Sequence, residues 1–500
     1  MAQSTIAAKG LSRTTHPVDE VLPWSQLFVY GLQHVLAMYA GAVAVPLIVS
    51  FALGLSQEQL IYLINADLFT CGVATIIQTL GLWKTPVGIK LPIMQGCTFA
   101  AVTPMILIGK AHGLTAIYGS IIIAGIITVL ISPYFSRLIR FFPPVVTGTI
   151  ITIIGVSLLP VAVNWSAGGN PTAPQYGDIG FIALAFAVLV LILLVYRLFK
   201  GFISNIAVLL GLIIGTLVAI PFGFTDFAGV TTAAWIGITT PFRYGLPTFD
   251  LASVASMTLV MLVTMTETTG DIIAVGEIVD KQITSDALSR GLRADGLSTV
   301  LGGILNAFPY TAFAQNVGLV GLTGVRSRFV VTTAGVILMV LGLFPKLAAI
   351  VASIPQPVLG GAGLALFGMV AASGIKTLAK VKFEGNYNIM VVAVSLGVGL
   401  IPLGVAGFYH KFPDWVQIIL NSGITAGSVT AILLNIVLNE LGKLGVGAVV
   451  PEQPAGQPLD IEFGYVPKPG EAGALPQVPD TELNYQSGES GMIPPGKEEP

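Results

Sequence analysis

Long apolar runs, each bounded by charged residues or by glycine and proline, recur along most of the chain. A bilayer core of roughly 30 Å takes about 20 apolar residues in a helix. The pattern therefore predicts an all-α polytopic membrane protein with fourteen transmembrane spans, of which the third and the tenth are the weakest. Their limits are 24–50, 59–80, 87–108, 114–133, 144–163, 180–199, 204–222, 251–279, 291–306, 310–324, 328–345, 356–374, 386–403 and 417–440.

The composition agrees with residence in a lipid bilayer and excludes other classes. Of the 500 residues, 54% are hydrophobic and 10% are charged, which is too apolar for water-soluble cores. The net charge of −2 excludes a nucleic-acid partner, because phosphates demand a basic excess. The two cysteines, Cys71 and Cys97, lie in apolar stretches without a CxxC or Cys/His cluster, so we expect neither a metal site nor a cofactor.

The distribution of Lys and Arg predicts the orientation. With the N-terminus inside, eighteen of the 23 basic residues fall in inner segments, and such residues are retained on the cytoplasmic side. Both termini are therefore expected in the cytoplasm and the protein in the cytoplasmic (inner) membrane. Residues 1–23 form a polar tail without a cleaved signal peptide, and residues 441–500, rich in Pro, Gly and Glu, are predicted as a disordered cytoplasmic tail.

Two halves of the chain repeat each other. Pro92 aligns with Pro309 and Pro144 aligns with Pro357, at offsets of 217 and 213 positions. The repeat contains seven spans, and because seven is odd the second copy enters the membrane from the opposite side. The sequence thus predicts a 7+7 inverted repeat.

Spans 3 and 10 are the matched pair and also the interrupted pair, so each is predicted as a short extended segment followed by a half-helix. Irregular backbone at membrane depth is tolerated where it is buried in protein or lines a cavity, and half-helix N-termini offer N–H groups to a polar ligand. In the alternative, Pro92 and Pro309 merely kink two packed helices. The predicted site lies between Cys97, Thr98 and Phe99 on one side and Ala314, Gln315 and Asn316 on the other.

Ionisable residues inside the spans indicate a function, because placing each at mid-bilayer costs at least ~2.5 kcal/mol of free energy. Glu267, in the middle of span 8, can accept hydrogen bonds from ring N–H donors or take up a proton. Asp271 follows on the same helical face and either shares that role or interacts with backbone amides or Arg290.

Three further polar positions allow two interpretations each. Asp295, at the inner start of span 9, is a protonatable carboxylate or a helix-start residue. His34, which follows Gln33 in span 1, is most readily a structural donor that holds another polar group in place. Asp67 in span 2 has the same ambiguity.

A ten-residue motif in this region resembles a known signature. The segment QNVGLVGLTG, Gln315 to Gly324, is similar to the signature of the nucleobase-ascorbate transporter (nucleobase:cation symporter-2) family. The Gln33–His34 pair, Glu267 and Asp295 stand in similar positions to that family's other markers. The resemblance covers about residues 24–440.

The resemblance implies an architecture and a substrate class. It implies a transporter domain over 24–440, with a core of spans 1–4 and 8–11, a gate of spans 5–7 and 12–14, symport of a cation and a homodimer through the gate. Gln315 at the first motif position looks like the branch that handles xanthine and uric acid, closest to bacterial urate/xanthine permeases. Gly324 and Thr98 depart from the xanthine-specific pattern and favour uric acid.

The chemistry of these side chains is compatible with an oxidised purine. Gln315 offers one donor and one acceptor along a purine edge, Glu267 accepts, and Phe99 or Phe313 can stack on the ring. The expected substrate-binding set is Glu267, Gln315, Phe99, Thr98, Ala314 and Phe313, and the expected coupling network is Asp295, His34, Asn316, Gln33 and Asp271. A proton is the expected coupled ion, since no sodium cage of clustered oxygens is evident.

Other interpretations stay open. They are a uracil or other nucleobase symporter of the same fold, a sulfate-type anion transporter and a passive channel. An enzyme is not expected, because neither HExxH nor GxSxG is present.

Overall fold

The computed structural model describes residues 16–441 apart from 83, 385, 386 and 406. The predicted C-terminal tail beyond residue 441 and the first fifteen residues of the predicted N-terminal tail lie outside the described residues.

Nearly all regular structure in the described part of the chain is helical. The first ten α-helices are α1 (Trp24–Leu53), α2 (Gln57–Leu80), α3 (Val102–His112), α4 (Leu114–Ile131), α5 (Phe135–Leu138), α6 (Pro144–Ser166), α7 (Ile179–Leu198), α8 (Phe202–Asn205), α9 (Ala207–Ala219) and α10 (Ala228–Thr232). The next nine are α11 (Leu251–Ile278), α12 (Ser285–Ile304), α13 (Ala314–Thr323), α14 (Arg328–Leu341), α15 (Pro345–Ala352), α16 (Gln356–Leu378), α17 (Asn388–Gly404), α18 (Asp414–Leu420) and α19 (Gly423–Asn435), and a π-helical turn (Ile436–Glu440) continues α19.

Eight of the helices in these described ranges are long and apolar enough to cross a bilayer, and nine if α14 and α15, bent by 84°, form one span. The predicted all-helical membrane protein is thus confirmed, whereas helix length alone does not give fourteen crossings. Three shorter apolar helices complete the set: Phe99–His112, Ala207–Phe222 and Asn388–Gly404.

Two short strands, β1 (Gln95–Cys97) and β2 (Tyr310–Ala312), stand directly before the short helices predicted as half-helices. They pair antiparallel, with Gly96 opposite Thr311 at the centre. Two backbone hydrogen bonds extend the pairing, from Phe313 N to Met94 O at 3.0 Å and from Thr98 N to Pro309 O at 2.9 Å. The extended segments were predicted correctly, and the alternative of two kinked continuous helices is wrong, because the backbone here is extended and paired.

Glycines set the distance between several pairs of packed helices. A Cβ at Gly72 in α2 would lie 2.4 Å from the Gly335 carbonyl oxygen in α14, and α6 meets α16 similarly where Gly155 faces Ala371. Such close approach maximises van der Waals contact between helices in lipid, where no hydrophobic force drives association. The helices of both pairs are therefore tightly packed against each other.

Candidate functional site

The half-helix α13 presents one open face. It begins at Ala314, and Ala314 and Gln315 are both exposed. Gly318, Gly321 and Leu322 continue this exposed face at helical spacing. Gln315 therefore lies on a side of α13 that no other described helix covers.

The neighbouring helix α11 carries the two predicted carboxylates. Glu267 and Asp271 are half-buried, and Gly270 between them is exposed. A Cβ built at Gly270 meets no atom within 4 Å, and the same holds at Gly318 in α13. The two helices touch further along, where a Cβ at Gly321 would lie 3.5 Å from the Ile278 side chain. Open space thus lies beside both the Glu267–Asp271 segment and the Gln315 face.

Asn316 points to the other side of α13. Its side chain is buried, and its Nδ2 atom lies 2.9 Å from the backbone carbonyl oxygen of His34 in α1. His34 is also buried, whereas Gln33 beside it is half-buried. The structure therefore brings His34 and Asn316 together.

The two aromatic residues of the predicted site have different surroundings. Phe313 is 4% exposed, and a Cβ at Gly96 or at Gly41 would lie 2.2 Å or 2.9 Å from its ring. Phe99 is half-buried and packs edge-on against Phe367 of α16, with ring centroids 6.0 Å apart. Phe99 is thus the ring with accessible surface.

Thr98 has a local structural contact. Its side chain is 1% exposed and accepts a hydrogen bond from the Ala100 backbone N–H at 3.2 Å. This contact caps the 3-10 turn Phe99–Ala101 that leads into α3.

Asp295 lies inside a helix. Helix α12 begins at Ser285 after the N-cap Thr284, so the interpretation of Asp295 as a helix-start residue is wrong. Asp295 is fully buried, and its Oδ1 accepts a hydrogen bond from Gln78 Nε2 at 3.2 Å. The second oxygen, Oδ2, has no hydrogen-bond partner among the described residues.

Asp271 had been expected either to share the role of Glu267 or to interact with backbone amides or Arg290. The suggested partner Arg290 instead pairs with Asp286 at 3.4 Å. The charged groups that act on Asp271 are the carboxylates of Glu267 and Asp295. Three acidic side chains therefore share one region of the protein.

Sequence reasoning missed two buried glutamines. Gln78 in α2 donates to Asp295 and to the Gly291 carbonyl, and its own carbonyl accepts from Ile89 N. Gln95 in β1 is fully buried, and neither side-chain atom has a hydrogen-bond partner in the described chain. Both could have been found in the sequence, because each is an uncharged amide side chain within an apolar segment, where polar groups are rare.

Thr268 and Tyr310 connect β2 to the surrounding helices and were missed as well. The Thr268 hydroxyl accepts from Ala312 N at 3.1 Å, and Gln95 and Thr268 are the polar neighbours of the Asp295 carboxyl. The Tyr310 hydroxyl donates to Asp67 Oδ1 at 2.9 Å. Asp67 therefore anchors the strand from α2, which gives this carboxylate a structural partner.

No group of three or more His, Cys, Asp or Glu that could hold a metal ion occurs among the residues described. The polar groups of the site are amides and hydroxyls, which form hydrogen bonds, and carboxylates, which accept hydrogen bonds when ionised.

Solved structures of membrane proteins share this arrangement of helices. The transmembrane domain of a cyanobacterium bicarbonate transporter, BicA, matches with a TM-score of 0.53 and 15% identity, over 84% of this chain and 99% of that one. SLC26A9 matches with a TM-score of 0.54 and 12% identity, over 83% of this chain and 66% of that one. At such low identity the likeness shows the fold alone.

Sequence relatives identify the family. The xanthine/uric acid permease model, described as "Permease family", matches residues 25–406. The xanthine permease of Bacillus subtilis is 50% identical over 83% of this chain and 94% of its own length. The uric acid transporter UacT of Escherichia coli is 47% identical over 87% of this chain and 90% of its own length. The chain belongs to this permease family, the nucleobase-ascorbate transporters, and is a transporter rather than an enzyme. The family predicted from the Gln315–Gly324 motif is confirmed.

Proposed function

We propose that this chain is a proton-coupled symporter that imports an oxidised purine, uric acid or xanthine or both, across the cytoplasmic membrane. The observation that carries the proposal is the open face of α13, where Gln315 is exposed at the start of a half-helix whose extended strand pairs with that of the other half. Relatives that are 50% and 47% identical bear the names xanthine permease and uric acid transporter.

The substrate would lie between the Gln315 face of α13 and the Glu267 segment of α11. An oxidised purine carries alternating N–H donors and C=O acceptors, which match the donor and acceptor of a glutamine amide and the acceptors of a carboxylate. Phe99, whose ring has accessible surface, is the stacking residue in this arrangement. Ala314 adds a small side chain beside Gln315, while Thr98 and Phe313 shape the site through the contacts that bury them.

Proton coupling would use the buried carboxylates. Asp295 has one oxygen bound by Gln78 and one without a partner in the described chain, so a proton has a place on that second oxygen. Asp271 lies near enough to both Asp295 and Glu267 to be affected by their charges. Charge neutralisation by a proton lowers the cost of an intramembrane carboxylate, so substrate and proton can load together. His34, Asn316 and Gln33 hold α1 and α13 in register.

The architecture that goes with this function is a 7+7 inverted repeat of fourteen spans within residues 24–440. The core would consist of spans 1–4 and 8–11 and the gate of spans 5–7 and 12–14, with both termini cytoplasmic and two copies joined through the gate. The short helices α3 and α13 would each cross half of the bilayer, which accounts for spans that helix length does not register.

A uracil or other nucleobase symporter is the second candidate, because the same half-helix pair can hold any flat ring with N–H and C=O groups along an edge. A glutamine at position 315 rather than a carboxylate favours the oxidised purines.

Uptake of labelled uric acid, xanthine and uracil into cells that express the chain tests the function. We expect accumulation of uric acid or xanthine, abolished when the proton gradient is collapsed. Uracil uptake alone would replace the substrate assignment. Equilibration that ignores the gradient would identify a passive channel.

A further inference from the structure

A second cavity lies away from the half-helices, where α1 ends and α2 begins. Its volume is about 460 Å³. It is bounded by the first turns of α2, by the segment after α10 and by the first residue of α15. Its lining residues include Glu58, Tyr62, Asn65, Gly237, Thr239 and Arg243.

Two residues that line this cavity each carry a buried polar atom that lacks a partner in the described chain. Asn65 is 6% exposed and its Oδ1 atom accepts no hydrogen bond, and Thr239 is 8% exposed and its hydroxyl is likewise unpaired. A buried polar group without a partner costs about 1–3 kcal/mol, so native structures rarely leave two in one cavity. A ligand that brings hydrogen-bond donors would satisfy both.

The positively charged side chain of Arg243 lines the same cavity. The Arg243 guanidinium is 3.2 Å from the Glu58 carboxylate and lies over the Tyr62 ring, 4.7 Å from its centroid. Tyr244 packs nearly perpendicular to that ring. Arg243 uses one of its five N–H donors on Glu58 and keeps others for an anion. The Tyr62 ring is occupied by these contacts, which disfavours a flat aromatic ligand such as a second purine.

Large apolar side chains surround the cavity on the segment after α10. Trp235, Ile236 and Ile238 are 72%, 70% and 75% exposed. Lys346 Nζ lies 5.2 Å from the Trp235 ring centroid and donates to the Val230 carbonyl at 2.7 Å. Exposed tryptophan and lysine side by side are typical of the boundary between lipid tails and headgroups. The cavity therefore sits at the depth where lipid headgroups lie.

We propose that this cavity binds the headgroup of a phospholipid that carries both a phosphate and an N–H or O–H donor, as phosphatidylethanolamine and phosphatidylglycerol do. The donor bonds to Asn65 Oδ1 and to the Thr239 hydroxyl, and the phosphate pairs with Arg243. Trp235, Ile236 and Ile238 contact the acyl chains. Phosphatidylcholine has a phosphate but no headgroup donor, so it satisfies neither buried atom and binds more weakly.

Native mass spectrometry of the purified, delipidated full chain tests this site. Each of the three lipids is added in turn, and the fraction of protein with one lipid bound is measured. We expect wild type to bind phosphatidylethanolamine or phosphatidylglycerol at least tenfold more tightly than phosphatidylcholine, and Thr239→Val and Asn65→Leu to abolish that preference. Because neither atom has a hydrogen-bond partner among the described residues, we expect both variants to fold.

Ser395→Ala is the matched control. It also removes a buried hydroxyl that lacks a partner in the described chain, but in α17, and should retain the lipid preference. Equal binding of all three lipids by wild type, or an unchanged preference in both cavity variants, would overturn the proposal. Saturation of the site by soluble phosphoethanolamine or glycerol phosphate, to the exclusion of lipid, would assign it to a free phosphate compound instead.

Discussion

The side-chain nitrogen of Asn316 lies 2.9 Å from the backbone carbonyl oxygen of His34 and 3.0 Å from its ring Nδ1 atom. A carbonyl oxygen can only accept, so the amide nitrogen must face it and donate. The same nitrogen then donates to Nδ1, which must carry a lone pair. The His34 imidazole is therefore neutral with its proton on Nε2. Asn316 thus fixes both the protonation and the orientation of His34.

Gln315 and Asn316, adjacent in the motif, face opposite sides of α13, so their substitution should have different effects. Gln315→Glu replaces the donor of the exposed amide, and we expect a changed order of inhibition by a panel of purines in uptake competition. Asn316→Ser removes a contact with α1, and should lower transport rate or stability while the order of inhibition stays that of wild type. An unaltered order in the Gln315 variant would contradict its role in reading the purine edge.

Glu267→Gln should reduce uptake to that of cells without the protein, because the amide keeps the volume but loses the charged acceptor and the proton site. Immunoblots of isolated membranes check that the variant is inserted. Glu277→Gln, on the same helix at an exposed position, is the control and should transport normally. Normal uptake by the Glu267 variant would remove this residue from the binding site.

Two glycine-to-alanine substitutions distinguish open space from helix packing. A Cβ at Gly72 would lie 2.6 Å from Met339 as well as 2.4 Å from a carbonyl oxygen, so Gly72→Ala should lower the free energy of unfolding by about 1–3 kcal/mol. Gly318→Ala adds a methyl group to open space and should leave stability unchanged. Melting temperatures in detergent compare the two.

A larger side chain at position 318 should fill the space beside Gln315. Gly318→Trp is therefore expected to block uptake while the melting temperature stays close to that of Gly318→Ala. Full transport by the tryptophan variant would mean that this open face does not lead to the substrate.

Proteoliposomes under an imposed pH gradient test the coupling ion. With sodium absent, we expect wild type to accumulate its purine and Asp295→Asn to lose gradient-driven accumulation, since the buried carboxylate can no longer exchange a proton. Counterflow of labelled for unlabelled purine in the same vesicles reports whether the variant still binds and moves substrate. Accumulation that needs sodium and ignores the pH gradient would refute proton coupling.

The start of α11 offers a prediction about pH. Asp250 accepts from the Ser253 backbone N–H and hydroxyl, both at 2.8 Å. Although partial burial acts to raise the pKa of Asp250, these hydrogen bonds lower it below its usual value. A lowered pKa means that the ionised cap adds stability above about pH 4 and that this contribution is lost as pH falls through the folded-state pKa.

Asp250→Asn and Asp250→Ala separate the charge from the cap. Asparagine still caps a helix, so its stability deficit should be present at pH 7 and vanish in acid, whereas alanine should lose about 1 kcal/mol by removing the cap. Melting temperatures measured from pH 2 to pH 7 give both differences. A deficit of the asparagine variant that is independent of pH would contradict the lowered pKa.

Much of the fold could be predicted, because the length of an apolar segment and the position of a proline can be read from a short stretch of sequence. The extended segments of spans 3 and 10 follow from Pro92 and Pro309, which stand before the strands. The start of α12 was placed six residues late, because its first turns are polar and Thr284 supplies the cap. The bend between α14 and α15 could not be predicted in this way, because the length of the apolar segment does not indicate it.

The site was predictable to the extent that its residues are ionisable or lie in the motif. Glu267 and Asp295 stand out because charge is rare inside a span. The surroundings of Asp295 were missed, because its hydrogen-bond donor Gln78 and its polar neighbour Gln95 lie about 200 positions earlier in the sequence. Whether a residue such as Phe313 is open or packed depends on glycines elsewhere, here Gly41 and Gly96, which a single sequence does not connect to it.

The pairing of β1 with β2 also constrains how the protein is made. Cys97 is paired with Tyr310, 213 residues further along the chain, and ribosomes add about 5–20 residues per second. The first strand is therefore synthesised on the order of 10–40 s before its partner exists. During that interval its backbone N–H and C=O groups have no strand to bond and cannot enter lipid unpaired. The first half of the transporter must wait, shielded by the insertion machinery or by its own helices, until the second half arrives to complete it.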